Sequence, residues 1–154
     1  MNKHKIYLNM CNDLTPMSKC SKHKVGALIV KNNRIISNGL NGTPSGYINC
    51  CDKFKGVDVT VEPGRSMHRD WAENFEIHAE MNAILFATRN GVNLNNSVLY
   101  CSLEPCFNCL KHACVAGVKE IYYSKKHKHN LDTAEAQELI HNLGIKIKYV
   151  DLHE

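Results

Sequence analysis

Apolar residues along this chain follow two periods, one helical and one extended. Near the N-terminus Ile6, Met10 and Leu14, flanked by Tyr7 and Cys11, recur at helical spacing ahead of Pro16, which predicts an amphipathic first helix. Residues 25–30 and 34–37 are short apolar runs separated by Lys31-Asn32-Asn33, and they predict a short-turn hairpin. Between residues 39 and 75 the periodicity disappears, and an irregular stretch of that length in a compact domain is usually functional. A helix-forming run then starts at His78 and stops at Asn90-Gly91. It is followed by a strand at 97–102, a helix opening at Pro105, a strand at 120–123, a helix at 133–143 and a strand at 145–150. The five strands and the alternation after the hairpin predict an α/β fold, a mixed sheet with helices on both faces.

Composition narrows the class. A chain of 154 residues, 44% of them hydrophobic, is long enough for a real core and predicts one domain over residues 1–154. No apolar run approaches the ~20 residues of a membrane span, and no signal-peptide core follows Met1-Asn2-Lys3-His4-Lys5, so a cytoplasmic protein is expected. In that compartment the eight cysteines are expected to be reduced thiols, and the sequons at Asn41 and Asn95 carry no meaning. A formal charge of +4 suits a small anionic substrate and falls short of the basic bias of a protein living on nucleic acid.

The chemistry concentrates in His78-Ala79-Glu80 and Pro105-Cys106-Phe107-Asn108-Cys109. One histidine and two cysteines make three zinc ligands, which leaves a fourth tetrahedral position open, as catalytic zinc requires. Bound zinc lowers the pKa of a water in that position to about 7. Glu80 is not needed as a ligand. With His78 in the first helical turn, it points about 200° round the helix and can shuttle a proton. Pro105 suits the first position of the next helix, placing Cys106 and Cys109 at i and i+3 on one face near a helix N-terminus that favours thiolates. A lone CxxC reads equally well as a redox pair or half a structural finger; the H-x-E upstream turns the balance to a nucleobase deaminase site.

With Val25-Gly26-Ala27, Asn41-Gly42-Thr43-Pro44-Ser45-Gly46, Asn49-Cys50-Cys51-Asp52 and the two motifs above, the sequence resembles the deoxycytidylate (dCMP) deaminases, particularly the phage type, of the cytidine deaminase superfamily. The resemblance covers about residues 5–150. It implies a three-layer α/β/α cytidine-deaminase-like fold and zinc-dependent hydrolysis of dCMP to dUMP and ammonia, which supplies thymidylate synthesis. It also implies a homo-oligomer, commonly a hexamer, activated by dCTP and inhibited by dTTP, with Mg2+ accompanying the effector. No membrane and no stable nucleic-acid partner is expected. The location is the cytoplasm, the host's if the chain is phage-encoded. Two other classes share the zinc motifs' logic: a deaminase of dCTP or of adenosine in transfer RNA, and a nonenzymatic zinc-stabilised binding module.

The remaining candidates surround these motifs. The resemblance places a sugar contact at Asn41, while Thr43, Ser45 and Gly46 offer backbone N–H groups to a phosphate, although Asn-Gly and Pro-Ser-Gly also form plain turns. Backbone groups near Ala79 and Ser102 can hold the pyrimidine edge, and Tyr123 is either a pocket wall or ordinary strand packing. Lys22, Lys24 and the run Lys125-Lys126-His127-Lys128-His129 can supply positive charge, though most such runs are merely solvated. Arg89, at the far end of the His78 helix, either couples an effector to a neighbouring subunit or complements the helix dipole. Relatives of the phage type carry a structural zinc, and Cys20, Cys50 and His68 match three of its ligands. Gly64 stands where the fourth, a histidine, is expected, which leaves Cys51, His23 or another group to complete a tetrahedron, or leaves buried thiols and a surface histidine.

Overall fold

The computed structural model describes residues 2–127 and 131–154. Lys128 and His129 of the basic run lie outside the described residues. The order of elements is α1 (Lys3–Leu14), β1 (Gly26–Lys31), β2 (Arg34–Leu40), α2 (Cys50–Lys53), α3 (Gly64–Phe75), α4 (Ala79–Arg89), β3 (Ser97–Cys101), α5 (Phe107–Ala116), β4 (Val118–Tyr123), α6 (Ala134–Leu143) and β5 (Lys146–Tyr149). Five strands make one mixed sheet in the order β2-β1-β3-β4-β5. The pairs of β1 with β2 and with β3 are antiparallel, and β3, β4 and β5 run parallel. This is the mixed α/β sheet that the alternation predicts.

Strand alternation sorts side chains to two faces. Ala27, Ile29, Leu99, Cys101, Ile121 and Tyr123 face a core built with Ala79, Ala83, Ile84 and Ala87 of α4, Leu110 and Ala113 of α5 and Ala136 of α6. Their neighbours Leu28, Val30, Tyr100 and Tyr122 pack on the other face against Leu8 and Cys11 of α1. Helices therefore cover both faces. Burying an aliphatic side chain such as Ile29, Leu99 or Ile121 favours the fold by about 1.5–3 kcal/mol each relative to exposure.

Three local details differ from the sequence reading. On α1 the buried stripe is Leu8 and Cys11 with Tyr7 and Leu14 partly covered, whereas Ile6 and Met10 are exposed. Ile6 and Met10 sit roughly 160° away from Leu8 around the helix, so spacing alone did not select the packed side. The hairpin turn is two residues, Asn32 and Asn33, both in the left-handed region (φ 52° and 58°), the pattern of a type I′ turn. The stretch 39–75 is not structureless, for it holds α2 and α3. The buried positions of α3 are Gly64 and His68, with Trp71 half-buried, an unaliphatic face that packs on Cys20, Cys50, Phe54 and Val59.

The registration of α4 on β2 is tight because Gly39 has no side chain: a Cβ there would meet the carbonyl oxygen of Ala79 and the amide nitrogen of Ala83. Ser37 Oγ also donates to the Ala83 carbonyl at 2.7 Å. Since the obstruction is backbone, Gly39→Ala should lower stability by about 2 kcal/mol or more. Gly42→Ala, where nothing lies within 4 Å, should stay within about 0.5 kcal/mol of the parent. Urea unfolding of both variants checks this, and equal midpoints would contradict it.

Candidate functional site

Two helix N-termini meet at the site. Before α4, Gly42 and Ile77 form an antiparallel bridge with N–H donations of 3.1 and 2.8 Å, pinning the segment after β2 to the residue ahead of His78. His78 is the N-cap of α4, with extended backbone (φ −65°, ψ 152°), so it lies just outside the first turn in which the sequence placed it. Cys106 is likewise the N-cap of α5, which moves Pro105 one residue before the cap, and its thiol sulfur accepts the Cys109 N–H at 3.4 Å. The His78 Nδ1 atom stands 3.4 Å from the sulfur of Cys106 and 3.4 Å from that of Cys109. A tetrahedral zinc with bonds of about 2.0 and 2.3 Å sets nitrogen and sulfur roughly 3.5 Å apart, so this donor set fits the ion.

The electrostatics favour an anionic donor here. A hydrogen bond from the Cys109 thiol, then contacts with His78 and the Cys109 N–H, bring the Cys106 thiol down to about 4 against the opposition of burial. The Cys109 thiol moves the other way, because it holds the shared proton and is buried. The hydrogen bond to Cys106 raises His78. Glu80 is only 4% exposed, and burial pushes its carboxyl up, opposed by its own N–H, by His78 and by a hydrogen bond with the Cys101 thiol. A carboxyl whose pKa is raised by burial, beside a candidate metal group, is suited to accepting a proton and passing it on.

A cavity of about 550 Å³ opens on this group, and His78, Ala79, Glu80, Cys106 and Asn41 contribute to its wall. Asn41 is buried and engaged, with Oδ1 accepting from Ser18 Oγ at 2.7 Å and Val25 N–H at 2.9 Å, and Nδ2 donating to the His23 carbonyl at 2.7 Å. The rest of that segment lies off the cavity wall: Thr43 donates to the Ile48 carbonyl, and Ser45 and Gly46 are exposed. Ser102 Oγ accepts the Gly26 N–H at 3.0 Å, Tyr123 packs in the core with its hydroxyl bonded to Glu104, and Lys24 donates to the Ser18 carbonyl at 2.8 Å. Arg89 is exposed at the end of α4 beside exposed Leu85 and Phe86. Wall residues the motifs gave no signal for are Arg69, Glu73, Glu76 and Glu104, all outside recognisable spacing patterns.

A second cluster adjoins the same cavity. Among the described residues, Cys20, Cys50, His68 and Glu76 offer ligand atoms within 4.8 Å of one another. Cys20 Sγ lies 3.6 Å from His68 Nε2 and 3.4 Å from Glu76 Oε2. Neither Cys51 nor His23 belongs to this group. Glu76 caps the C-terminus of α3 and arrives from the opposite end of the helix to Gly64. Its other oxygen, Oε1, is buried with no hydrogen-bond partner, an arrangement that costs free energy unless a cation or proton compensates it.

The model of the cytidine and deoxycytidylate deaminase zinc-binding region matches residues 1–125. The deoxycytidylate deaminase of Enterobacteria phage T4 is 36% identical over 157 residues, covering 84% of this chain and 80% of its own. The crystal structure of the dCMP deaminase from cyanophage S-TIM5 in complex with dCMP and dUMP superposes with a TM-score of 0.73 at 30% identity, over 95% of both chains. A structure from work on tRNA:A34 deaminases aligns with a TM-score of 0.55 at 15% identity, a likeness of fold alone.

The depressed Cys106 thiol gives a pH signature. In metal-stripped protein, alkylation of Cys106 by iodoacetamide should be nearly flat between pH 6 and 8, because the thiolate is already present above about 4. A free thiol of pKa about 8.5 accelerates on the order of 50–100-fold over that interval. Peptide mass spectrometry reads the rates; a matching acceleration at Cys106 would show it protonated, and added zinc should block the reaction.

Proposed function

We propose, from the premise that this chain belongs to the cytidine and deoxycytidylate deaminase family, that it hydrolyses dCMP to dUMP and ammonia. The observation that carries the reading is the single cavity that joins His78, Cys106 and Glu80, with Nδ1 of His78 at 3.4 Å from both cysteine sulfurs. The relatives at 36% identity and the dCMP-bound structure at 30% support dCMP over transfer-RNA adenosine.

His78, Cys106 and Cys109 would hold zinc, which supplies a water that ionises near neutral pH. The buried Glu80 would serve as the proton carrier, accepting the two protons that hydrolysis releases and delivering one to N3 of the cytosine and the other to the amine at C4. Oxygen then replaces nitrogen on C4, ammonia leaves, and the uracil keeps the proton on N3. The Cys101 thiol and the backbone N–H of Glu80 orient the carboxylate between these transfers. Ala79 and Asn41, both on the cavity wall, would orient the base and sugar toward Glu80.

Two finer parts complete the proposal. A second zinc sits on Cys20, Cys50, His68 and Glu76, supported by the four converging donors and by the unsatisfied Glu76 Oε1. Four protein ligands close that site and make it structural. The enzyme is cytoplasmic and a homo-oligomer, a hexamer by resemblance, with dCTP activating and dTTP inhibiting through Arg89; the exposed Leu85 and Phe86 beside Arg89 suit a subunit contact.

Ammonia release from dCMP, dCTP, CMP and deoxycytidine tests the substrate, and repeating it with dCTP and dTTP tests control. Glu80→Gln should keep its zinc and lose about 10³-fold or more in turnover; substantial residual activity would remove Glu80 from the proton path. Metal analysis of loaded protein should find two zinc ions per chain, falling to one in Glu76→Ala and in Cys106→Ala alike. One zinc in the parent would dismiss the second site.

A further inference from the structure

The α1 face of the sheet, opposite α4 and α5, carries a recess of its own. It measures about 300 Å³ and lies between the first turn of α1, the edge strand β5 and the residues that follow β5. Parallel pairing sets Lys146 beside Glu120 and Lys148 beside Tyr122, so both lysines project to the side on which Tyr122 packs with Leu8 and Cys11. The His4 ring lies flat on Tyr122 with centroids 4.0 Å apart, and its Nδ1 is 2.9 Å from the Tyr100 hydroxyl. An aromatic floor held from beneath thus meets a rim of ammonium groups.

From this geometry we infer that the recess is a binding site for a small phosphate ester, with the phosphate on Lys146 and Lys148 and the organic part against His4 and Tyr149. The site is separate from the cavity of the proposed reaction and does not depend on that reading. Its volume is at the lower end of small-molecule pockets, and more than a bare phosphate fills.

The charges select an anion. Lys5, Lys146 and Lys148 on the wall outnumber its carboxylates, Asp151 and Glu154. Lys5 donates to the Glu154 backbone carbonyl, and the Asp151 carboxylate accepts the His153 N–H at 2.9 Å. Glu120, next to Lys146, accepts the Tyr122 hydroxyl at 2.7 Å and stands 3.9 Å from the Lys146 ammonium. Among the described residues no carboxylate pairs with Lys148. Burial and then Lys3 hold His4 below its ordinary pKa; Glu120 opposes them, and Lys146 and Lys148 add to them. The field over the ring is therefore positive, and a phosphate seated there relieves the repulsion among the lysines. Lysines on an edge strand also deter pairing with another chain, which is the competing role for Lys146 and Lys148.

Lysine acetylation by a water-soluble succinimidyl ester, read by peptide mass spectrometry on the full-length protein, reports each ammonium separately. Lys53 on α2, exposed and outside the recess, is the internal reference. Ribose 5-phosphate or glycerol 3-phosphate should slow acetylation of Lys146 and Lys148 at least about threefold relative to Lys53. Ribose, glycerol and potassium chloride at matched ionic strength should leave them unchanged. In Lys148→Gln the protection of Lys146 should disappear, and in Lys148→Arg, which keeps the charge, it should persist. Protection by neither ester overturns the site and leaves the lysines as guards of the sheet edge. Equal protection by potassium chloride, or protection of Lys146 that survives Lys148→Gln, overturns it as well. Inorganic phosphate separates the two sources of the anion: weaker protection than the esters give upholds the ester, and equal protection overturns it in favour of the free ion.

Discussion

The cavity's chemistry depends on two helices starting at one point in space with their first side chains outside the helical backbone. An N-cap residue has extended dihedrals, so its side chain is not committed to a helical face and can turn toward whatever the neighbouring helix presents. His78 does this for α4 and Cys106 for α5. The Cys109 thiol, His78 and the Cys109 N–H at the start of α5 then converge on the Cys106 sulfur, which favours its thiolate before any ion arrives. Parallel strands supply the placement: β3 and β4 run side by side, and the helix that follows β3 begins beside the start of β1, where β2 and α4 are already locked together around Gly39.

Much of this was legible because it is periodic or spaced. The strands, the two motif helices and the mixed sheet follow from alternation and from turn residues. The three-ligand group follows from counting donors. What escaped was what tertiary packing decides. The side of α1 that packs is Leu8 and Cys11, and Ile6 and Met10 offered an equally apolar stripe on the opposite side. Helix α3 buries a glycine and a histidine and half-buries a tryptophan, which no hydrophobic period reports. Glu76 is invisible for another reason: a carboxylate at a helix end is the commonest of surface features, and only the fold brings it to Cys20. The position of Glu80 was anticipated, but by a helical-wheel argument that the extended backbone at His78 replaces.

The cavity also joins two groups that a linear reading keeps apart. Cys20 and His68 belong to one cluster, His78 and Cys106 to the other, and Glu76 lies two residues before His78 along the chain. Helix α3 therefore forms a wall of the cavity and a side of the second cluster at once. Whatever fixes Glu76 also fixes the approach of the chain to His78, so order in the cysteine cluster and order in the candidate centre share one short peptide.

The bridge between Gly42 and Ile77 has a polymer consequence. It closes the intervening chain into a ring whose ends are held by the fold, so the length of the ring and the position of His78 are independent variables. Doubling a flexible loop adds only about 0.6 kcal/mol of closure entropy. Insertions between α2 and α3, outside both the cavity wall and the bridge, can thus lengthen this segment over evolutionary time without retuning the chemistry. In this family, length variation should gather there, and the ring's closing clasp should be the part that stays.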